Sequence, residues 1–276
     1  MKILFFGDIV GRPGRKALAQ ILPELKKEFE PDLVLANGEN AAHGQGITEN
    51  SLKELVAVGI DFLTTGDHAF ALAEGAEILE EKKLPVLRPQ NWPGEAPGRG
   101  FEIISVGAKR ILLTNLLGRV FMKRDFDDPF PKIEELLQDY SLKGKEEGSE
   151  AVDAILVDFH AEATSEKAAL AWFLDSRVSA VLGTHTHVPT ADEKILPRGT
   201  AFISDVGMVG PRDSVLGVQK EIVIKRFLTQ RLLKMEVVEE SPIEVNGVFL
   251  EIDGRTGLAQ KIERVRRIVA SEQILE

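Results

Sequence analysis

The chain has no cysteine among its 276 residues. Disulfides and thiolate ligands are thereby excluded, and any bound metal has to be held by nitrogen and oxygen donors from histidine, aspartate, glutamate or asparagine. No stretch approaches the roughly 18 consecutive apolar residues that a membrane-spanning helix needs. The opening segment also lacks the basic start and cleavage site of a secretory signal, so a cytoplasmic protein with no membrane partner is expected. Basic clusters are scarce as well. The 34 Lys and Arg against 44 Asp and Glu leave a formal net charge of −10, and only Arg264, Arg266 and Arg267 gather positive charge. Duplex nucleic acid is bound by clustered cations that neutralise its phosphates. It is not expected as a partner here, whereas a small phosphorylated substrate is compatible with the charge. The sequence shows neither an internal repeat nor a low-complexity segment.

What is present, 43% hydrophobic and 28% charged residues, suffices to bury one large core, and a single domain over 1–276 is expected. Five apolar runs share one kind of ending. Lys2–Phe6 closes on Gly7 and Asp8 and leads into a helical pattern ending near Glu28. The run 33–36 closes on Gly38, Glu39 and Asn40, and the following helix begins near Thr48, with Thr48 and Ser51 as candidate caps. The run 62–65 closes on Gly66, Asp67 and His68 ahead of a helical stretch through Leu79. Later, 154–157 closes on Asp158 and His160, and 180–182 closes on His185 and His187. Strands that alternate with helices predict an α/β fold in which the loops at the strands' carboxyl ends converge, bringing Asp8, Glu39 and Asp67 side by side. Residues 101–115 read as two strands turning near Gly107, 118–131 as a surface loop or lid, and 143–150 as an exposed loop. Beyond Gly199 the segments 201–204, 221–227, 232–238, 243–252 and 259–265 read as strands and imply a second sheet.

All five histidines, His43, His68, His160, His185 and His187, fall in loops after these strands or in the glycine-rich loop after Glu39. A lone histidine is more often a surface or hydrogen-bonded core residue than a ligand. Convergence with Asp8, Glu39, Asn40 and Asp67 reverses that weighting and predicts a metal centre. In Gly183-Thr-His-Thr-His187, extended backbone would point both rings to one side. A carboxylate can bridge two cations whereas an amide oxygen usually binds one, so Glu39 is the natural bridge. Asp8 and His187 would complete one site, and Asp67, His160 and His185 the other. Two metals about 3.5–4 Å apart can clamp the attacking and leaving oxygens of a phosphoryl displacement, without a covalent enzyme intermediate.

His68 is the candidate general acid for the leaving alcohol; the alternative is a group that orients a carboxylate. His43, in Ala42-His-Gly-Gln-Gly46, is a candidate substrate contact, and Asn40 is placed with it. Gly11-Arg-Pro-Gly14 lacks the lysine and spacing of a nucleotide loop and is expected to be a turn that starts the first helix. Arg12, Arg119 and Arg212 are isolated and expected to be solvated or ion-paired, and Thr164, Ser165 and Glu166 are expected to open a helix.

Four longer motifs, Gly7-Asp8-Ile-Val-Gly11, Asn37-Gly-Glu-Asn-Ala-Ala-His43, Asp158-Phe-His-Ala-Glu-Ala-Thr-Ser-Glu166 and Gly183-Thr-His-Thr-His-Val-Pro-Thr190, closely resemble those of the YmdB-like metallophosphoesterases. Arg88-Pro89, Asn115-Leu-Leu-Gly-Arg119, Asp205-Val-Gly-Met208 and Gly210-Pro211 extend the resemblance over nearly the whole chain. It implies a calcineurin-like four-layer α/β/β/α sandwich, a dinuclear centre of iron or manganese, and hydrolysis of phosphodiesters such as 2′,3′-cyclic nucleotides to 3′-nucleotides. It implies ligands at Asp8, Glu39, Asn40 and His187 for one metal and at Glu39, Asp67, His160 and His185 for the other, acid catalysis at His68, and a homo-oligomer. Where the family carries Asn, this chain has Asp67. The added negative charge is expected to hold the second cation more tightly while lowering its Lewis acidity. A rival expectation is a metal-dependent regulatory protein that binds a nucleotide and whose catalysis Asp67 has weakened.

Overall fold

The computed structural model describes residues 1–143 and 148–270, so the loop expected over 143–150 lies partly outside the described residues. The layering follows from the period-2 alternation of strand side chains. In Lys2–Phe6, Ile3 and Phe5 enter one core while Leu4 and Phe6 enter another. In Lys109–Leu117, Ile111 and Leu113 share the core of Ile3 and Phe5, while Leu112 and Leu116 point the opposite way. Strands that are apolar on both faces need cover on both faces. The two sheets therefore stack on each other through Ile3, Phe5, Leu35, Leu113, Leu156 and Leu182. Helices Gly11–Phe29, Glu49–Val58 and Ala73–Glu80 back the first sheet, and Pro129–Asp139 and Thr164–Phe173 back the second. The result is the expected α/β/β/α sandwich.

The first sheet runs Asp8–Ile9, Met208–Pro211, Ile243–Ile252, Lys2–Phe6, Leu33–Asn37, Phe62–Thr64, with Ala259–Val269 paired to Ile243–Ile252. The second runs Lys194–Ile195, Ala201–Ile203, Ala180–Thr184, Ala154–His160, Lys109–Leu117, Phe101–Val106. Lys2–Phe6, Leu33–Asn37 and Phe62–Thr64 are mutually parallel, as are Lys109–Leu117, Ala154–His160, Ala180–Thr184 and Ala201–Ile203. Local signals read from sequence are met at several points. Thr48 and Ser51 form a reciprocal capping box at the start of Glu49–Val58, Phe101–Val106 and Lys109–Leu117 form the hairpin at Gly107, and the Gly11–Gly14 turn opens the first helix.

The last third of the chain departs from expectation. Ile243–Ile252 and Ala259–Val269 are strands, but they join the first sheet, with Phe5 opposite Val248. The second sheet is instead built from the middle of the chain. Burial explains this: Val248 and Leu250 enter the intersheet core while Val245 and Phe249 face the first layer of helices, so this strand fits only inside a covered sheet. Segment 221–227 is not a strand but part of the helix Lys220–Thr229. Its β-branched Ile222, Val223 and Ile224 suggested a strand, yet Val223 alone is buried, and the pairs 223/227 and 224/228 sit at helical spacing. Segment 232–238 forms no strand either, only an isolated bridge from Val237 to Val218, and Leu232 is 90% exposed. The helix Thr164–Phe173 forms as expected but without a side-chain cap. Glu166 instead accepts hydrogen bonds from the Arg119 and Val120 amides, pinning the 118–128 loop. Arg119 pairs with Asp128 on the surface. Among the described residues no helix is long and apolar enough to cross a membrane.

Candidate metal centre

The carboxyl ends of the two parallel strand sets open onto one crevice. Asp8, Glu39 and Asp67 arrive from the first sheet, and His160, His185 and His187 from the second. Ligand-capable atoms of Glu39, Asp67, His160 and His185 lie within 4.8 Å of one another, and those of Asp8, Glu39 and His187 likewise. Glu39 belongs to both groups. His160 Nε2 is 3.1 Å from Glu39 Oε2 and 3.3 Å from Asp67 Oδ1, and His185 Nδ1 is 3.0 Å from His160 Nε2.

Three features fit this donor set to two cations. Asp8 Oδ1 and Asp67 Oδ1 are buried with no hydrogen-bond partner among the described residues, a costly state for a carboxylate unless a cation faces it. Gly66 leaves the space open, because a Cβ there would lie 2.1 Å from Glu39 Oε2 and 2.4 Å from His160 Nε2. The donors are all nitrogen and oxygen, a set that suits first-row divalent metals. The fold and the buried His, Asp and Glu groups thus fit a dinuclear metal site.

Charge is balanced tightly. Burial disfavours the ionised form of Glu39, yet His160 and His68 hold its carboxyl well below the usual range. Asp67 is also held low against its burial, by His160 and His185. Asp8, fully buried beside the like charges of Glu39 and Asp205, is raised despite His160 and His187. The opposite shifts follow from distance: His160 reaches Glu39 at 3.1 Å but Asp8 only at 3.7 Å. Burial pushes His160 and His68 down, but the carboxylates outweigh it and raise both. Cations at this centre would meet the same excess of negative charge.

The ring orientations are fixed from behind. His160 Nδ1 lies 2.9 Å from Thr184 Oγ1, which donates to Asp158 Oδ1 at 2.6 Å. The hydroxyl proton is thus committed, so Nδ1 carries a proton and Nε2 is the nitrogen that would give its lone pair to a cation in the crevice. Asp158 also accepts from Asn37 and Thr64, and burial raises its carboxyl to about 6. His187 Nδ1 donates to the Leu216 carbonyl at 3.1 Å, leaving Nε2 toward Asn40 and Asp8.

One sequence expectation is corrected here. The His-x-His segment is not extended, because His185 has φ 100° and His187 φ 66°. Each is a conformation that non-glycine residues adopt only when their surroundings over-determine it. The restraint comes from Asp8, which accepts from the His185 amide, and from a fully buried ion pair. Lys167 Nζ donates to Asp205 Oδ2 at 2.7 Å and to the Thr184 carbonyl, and Asp205 Oδ2 also accepts from the Thr186 amide. Sequence reasoning missed Lys167 and gave Asp205 no role beyond its place in a matching motif. The available signal was a lysine on the buried stripe of its helix, one turn from the apolar Leu170 and Ala171.

His68 and Asn40 sit at the mouth. His68 Nδ1 contacts Asn40 Oδ1 at 2.9 Å and Glu39 Oε1 at 3.4 Å, which leaves Nε2 without a hydrogen-bond partner among the described residues. Asn40 Nδ2 reaches Glu39 and His187. His43 is not brought into either ligand group. It is exposed, at φ 54°, and with Arg12, Arg15 and Lys16 lines a cleft of about 490 Å³ that is joined to Asn40 by the Gly11 amide bonded to the Asn40 carbonyl.

A family profile described as "YmdB-like protein" matches residues 4–265. A 2′,3′-cyclic-nucleotide 2′-phosphodiesterase of Bacillus subtilis (strain 168) is 44% identical over 266 residues, covering 96% of this chain and 96% of that protein. The chain belongs to the YmdB-like family. The crystal structure of a novel phosphatase from Mycoplasma pneumoniae matches with TM-score 0.88 at 35% identity, covering 100% of this chain and 96% of that one. Beyond YmdB-like proteins, the calcineurin-like phosphoesterase YfkN of Bacillus subtilis shares the fold, with TM-score 0.57 at 13% identity over 99% of this chain and 94% of that one.

Proposed function

We propose that this YmdB-like chain is a cytoplasmic, metal-dependent phosphodiesterase that opens 2′,3′-cyclic nucleotides to 3′-nucleotides, with 1–276 acting as one catalytic unit. The observation that carries the reading is the pair of ligand groups that share Glu39. Asp8, Asn40 and His187 with Glu39 would hold one ion and Asp67, His160 and His185 with Glu39 the other, with iron or manganese suited to these donors. When bound, the two ions supply Lewis-acid stabilisation of the phosphoryl group and activation of water. The P–O2′ bond breaks as water adds to phosphorus, and His68 gives its proton to the departing 2′ oxygen. Asn40 and His43 line the approach for the nucleotide.

The test is turnover of 2′,3′-cyclic AMP and bis-p-nitrophenyl phosphate by metal-depleted protein before and after reconstitution with manganese or iron. Activity restored only by metal supports the reading. Two bound metals without turnover would replace it with a nucleotide-binding regulatory protein.

Asp67 tunes the second ion. Asp67→Asn is expected to retain two metals per chain by elemental analysis and to raise kcat on the diester, because a neutral ligand leaves more positive charge for the phosphate. Loss of the second metal in this variant would show that the carboxylate is needed for retention.

Self-association is part of the proposal. Ile224, Phe227 and Leu228 of the helix Lys220–Thr229, with Leu232, are 53%, 75%, 80% and 90% exposed, an apolar patch suited to a second copy. Sedimentation of Phe227→Glu is expected to show a smaller species than the unmodified chain; an unchanged oligomer would place the interface elsewhere.

A further inference from the structure

A histidine ligand is precise only if its second nitrogen is held, because that contact fixes both the tautomer and the ring plane. His160 is held by the Thr184 hydroxyl and His187 by the Leu216 carbonyl. The third, His185, has the least favourable backbone, at φ 100°, and its ring is 23% exposed. Its Nδ1 faces His160 Nε2 at 3.0 Å and Asp67 Oδ1 at 3.5 Å, inside the crevice. Its Nε2, on the far side of the ring, lies 3.2 Å from Glu162 Oε2.

We infer that Glu162 is the positioning residue for His185: its carboxylate accepts the Nε2 proton, so that Nδ1 alone offers a lone pair to the second cation. The inference rests on the reading of the crevice as a metal centre. Glu162 follows His160 by two residues, just beyond the end of Ala154–His160, so chain continuity carries it close to the outer edge of the His185 ring. It is not itself a ligand in this geometry, because the imidazole ring stands between its carboxylate and the crevice, and it belongs to neither ligand group. A carboxylate partner also makes the imidazole a stronger donor. Asp67 Oδ1 lies 3.5 Å from Nδ1 inside the crevice, so that the nitrogen lone pair and this carboxylate would face the same cation while Glu162 holds the ring from outside.

The test is manganese titration of metal-depleted chain by calorimetry, comparing the unmodified protein with Glu162→Ala and Glu162→Gln. For Glu162→Ala, one of two binding events should weaken by about 10–100-fold, while the other and the Tm of the metal-free protein stay unchanged. Glu162→Gln, whose amide oxygen can still accept from Nε2, should recover most of the loss. Equal weakening of both events with a lowered metal-free Tm would make Glu162 a structural residue and overturn the inference, as would unchanged affinity for both. Absence of manganese binding by the unmodified chain would overturn it together with the metal centre. No substrate enters the measurement, so a chain that binds two ions but hydrolyses nothing would sink the phosphodiesterase reading and leave this one standing.

Discussion

Glu39→Ala is expected to lower kcat/KM on 2′,3′-cyclic AMP by at least about 10³-fold and to reduce bound metal from two ions per chain to one or none. The size follows from the shared position: both ligand groups contain this side chain, so one substitution removes several kcal/mol of charge stabilisation that metals bring to a phosphoryl displacement. The carboxylate also organises its neighbours, since Oε2 accepts from the His68 amide at 3.2 Å and Oε1 from Asn40 Nδ2 at 2.9 Å. Glu39→Gln isolates the bridging role, because it keeps the volume and one acceptor oxygen but cannot offer two anionic oxygens. Metal should raise the Tm of the unmodified chain; ions at about 100 times their Kd stabilise by about 2.7 kcal/mol per independent site. That rise should largely vanish in both variants. A glutamine variant that keeps two ions and most of its turnover would remove Glu39 from the bridge.

The convergence of these donor groups was legible because each residue follows a strand. Asp8, Glu39, Asp67, His160 and His185 stand at or just beyond carboxyl ends of parallel strands, and topology alone carries them into one crevice. Two kinds of information were hidden. One is pairing: the hairpin Ile243–Ile252 and Ala259–Val269 shows its strands in its alternation, but its partner, Lys2–Phe6, lies more than two hundred residues away. Nothing local tells which sheet it joins. The other is conformation set by tertiary restraint. The left-handed backbone of His185 and His187 depends on Asp8, Lys167 and Asp205, so a motif read as an extended strand end mistakes how the rings are aimed while naming residues that the fold does bring together. The helix Lys220–Thr229 failed for a related reason, because its β-branched run carries a local propensity that context overrode.

His68→Ala should lower kcat on 2′,3′-cyclic AMP by about 10²–10⁴-fold, the usual worth of a positioned proton donor. On bis-p-nitrophenyl phosphate it should cost less than about tenfold, since p-nitrophenolate departs without needing a proton. The contrast separates the two roles open to this residue. With Nδ1 against Asn40 and Glu39, His68 could serve by orienting Glu39, and then both substrates would suffer alike and metal content would fall. As the acid, it acts through Nε2 on the alkoxide of a ribose, whose departure as a free anion is far harder. Metal content should then match the unmodified chain, and the loss should follow the basicity of the leaving group across a series of aryl and alkyl diesters. A flat series would assign His68 to the support of Glu39 and leave protonation of the 2′ oxygen to water.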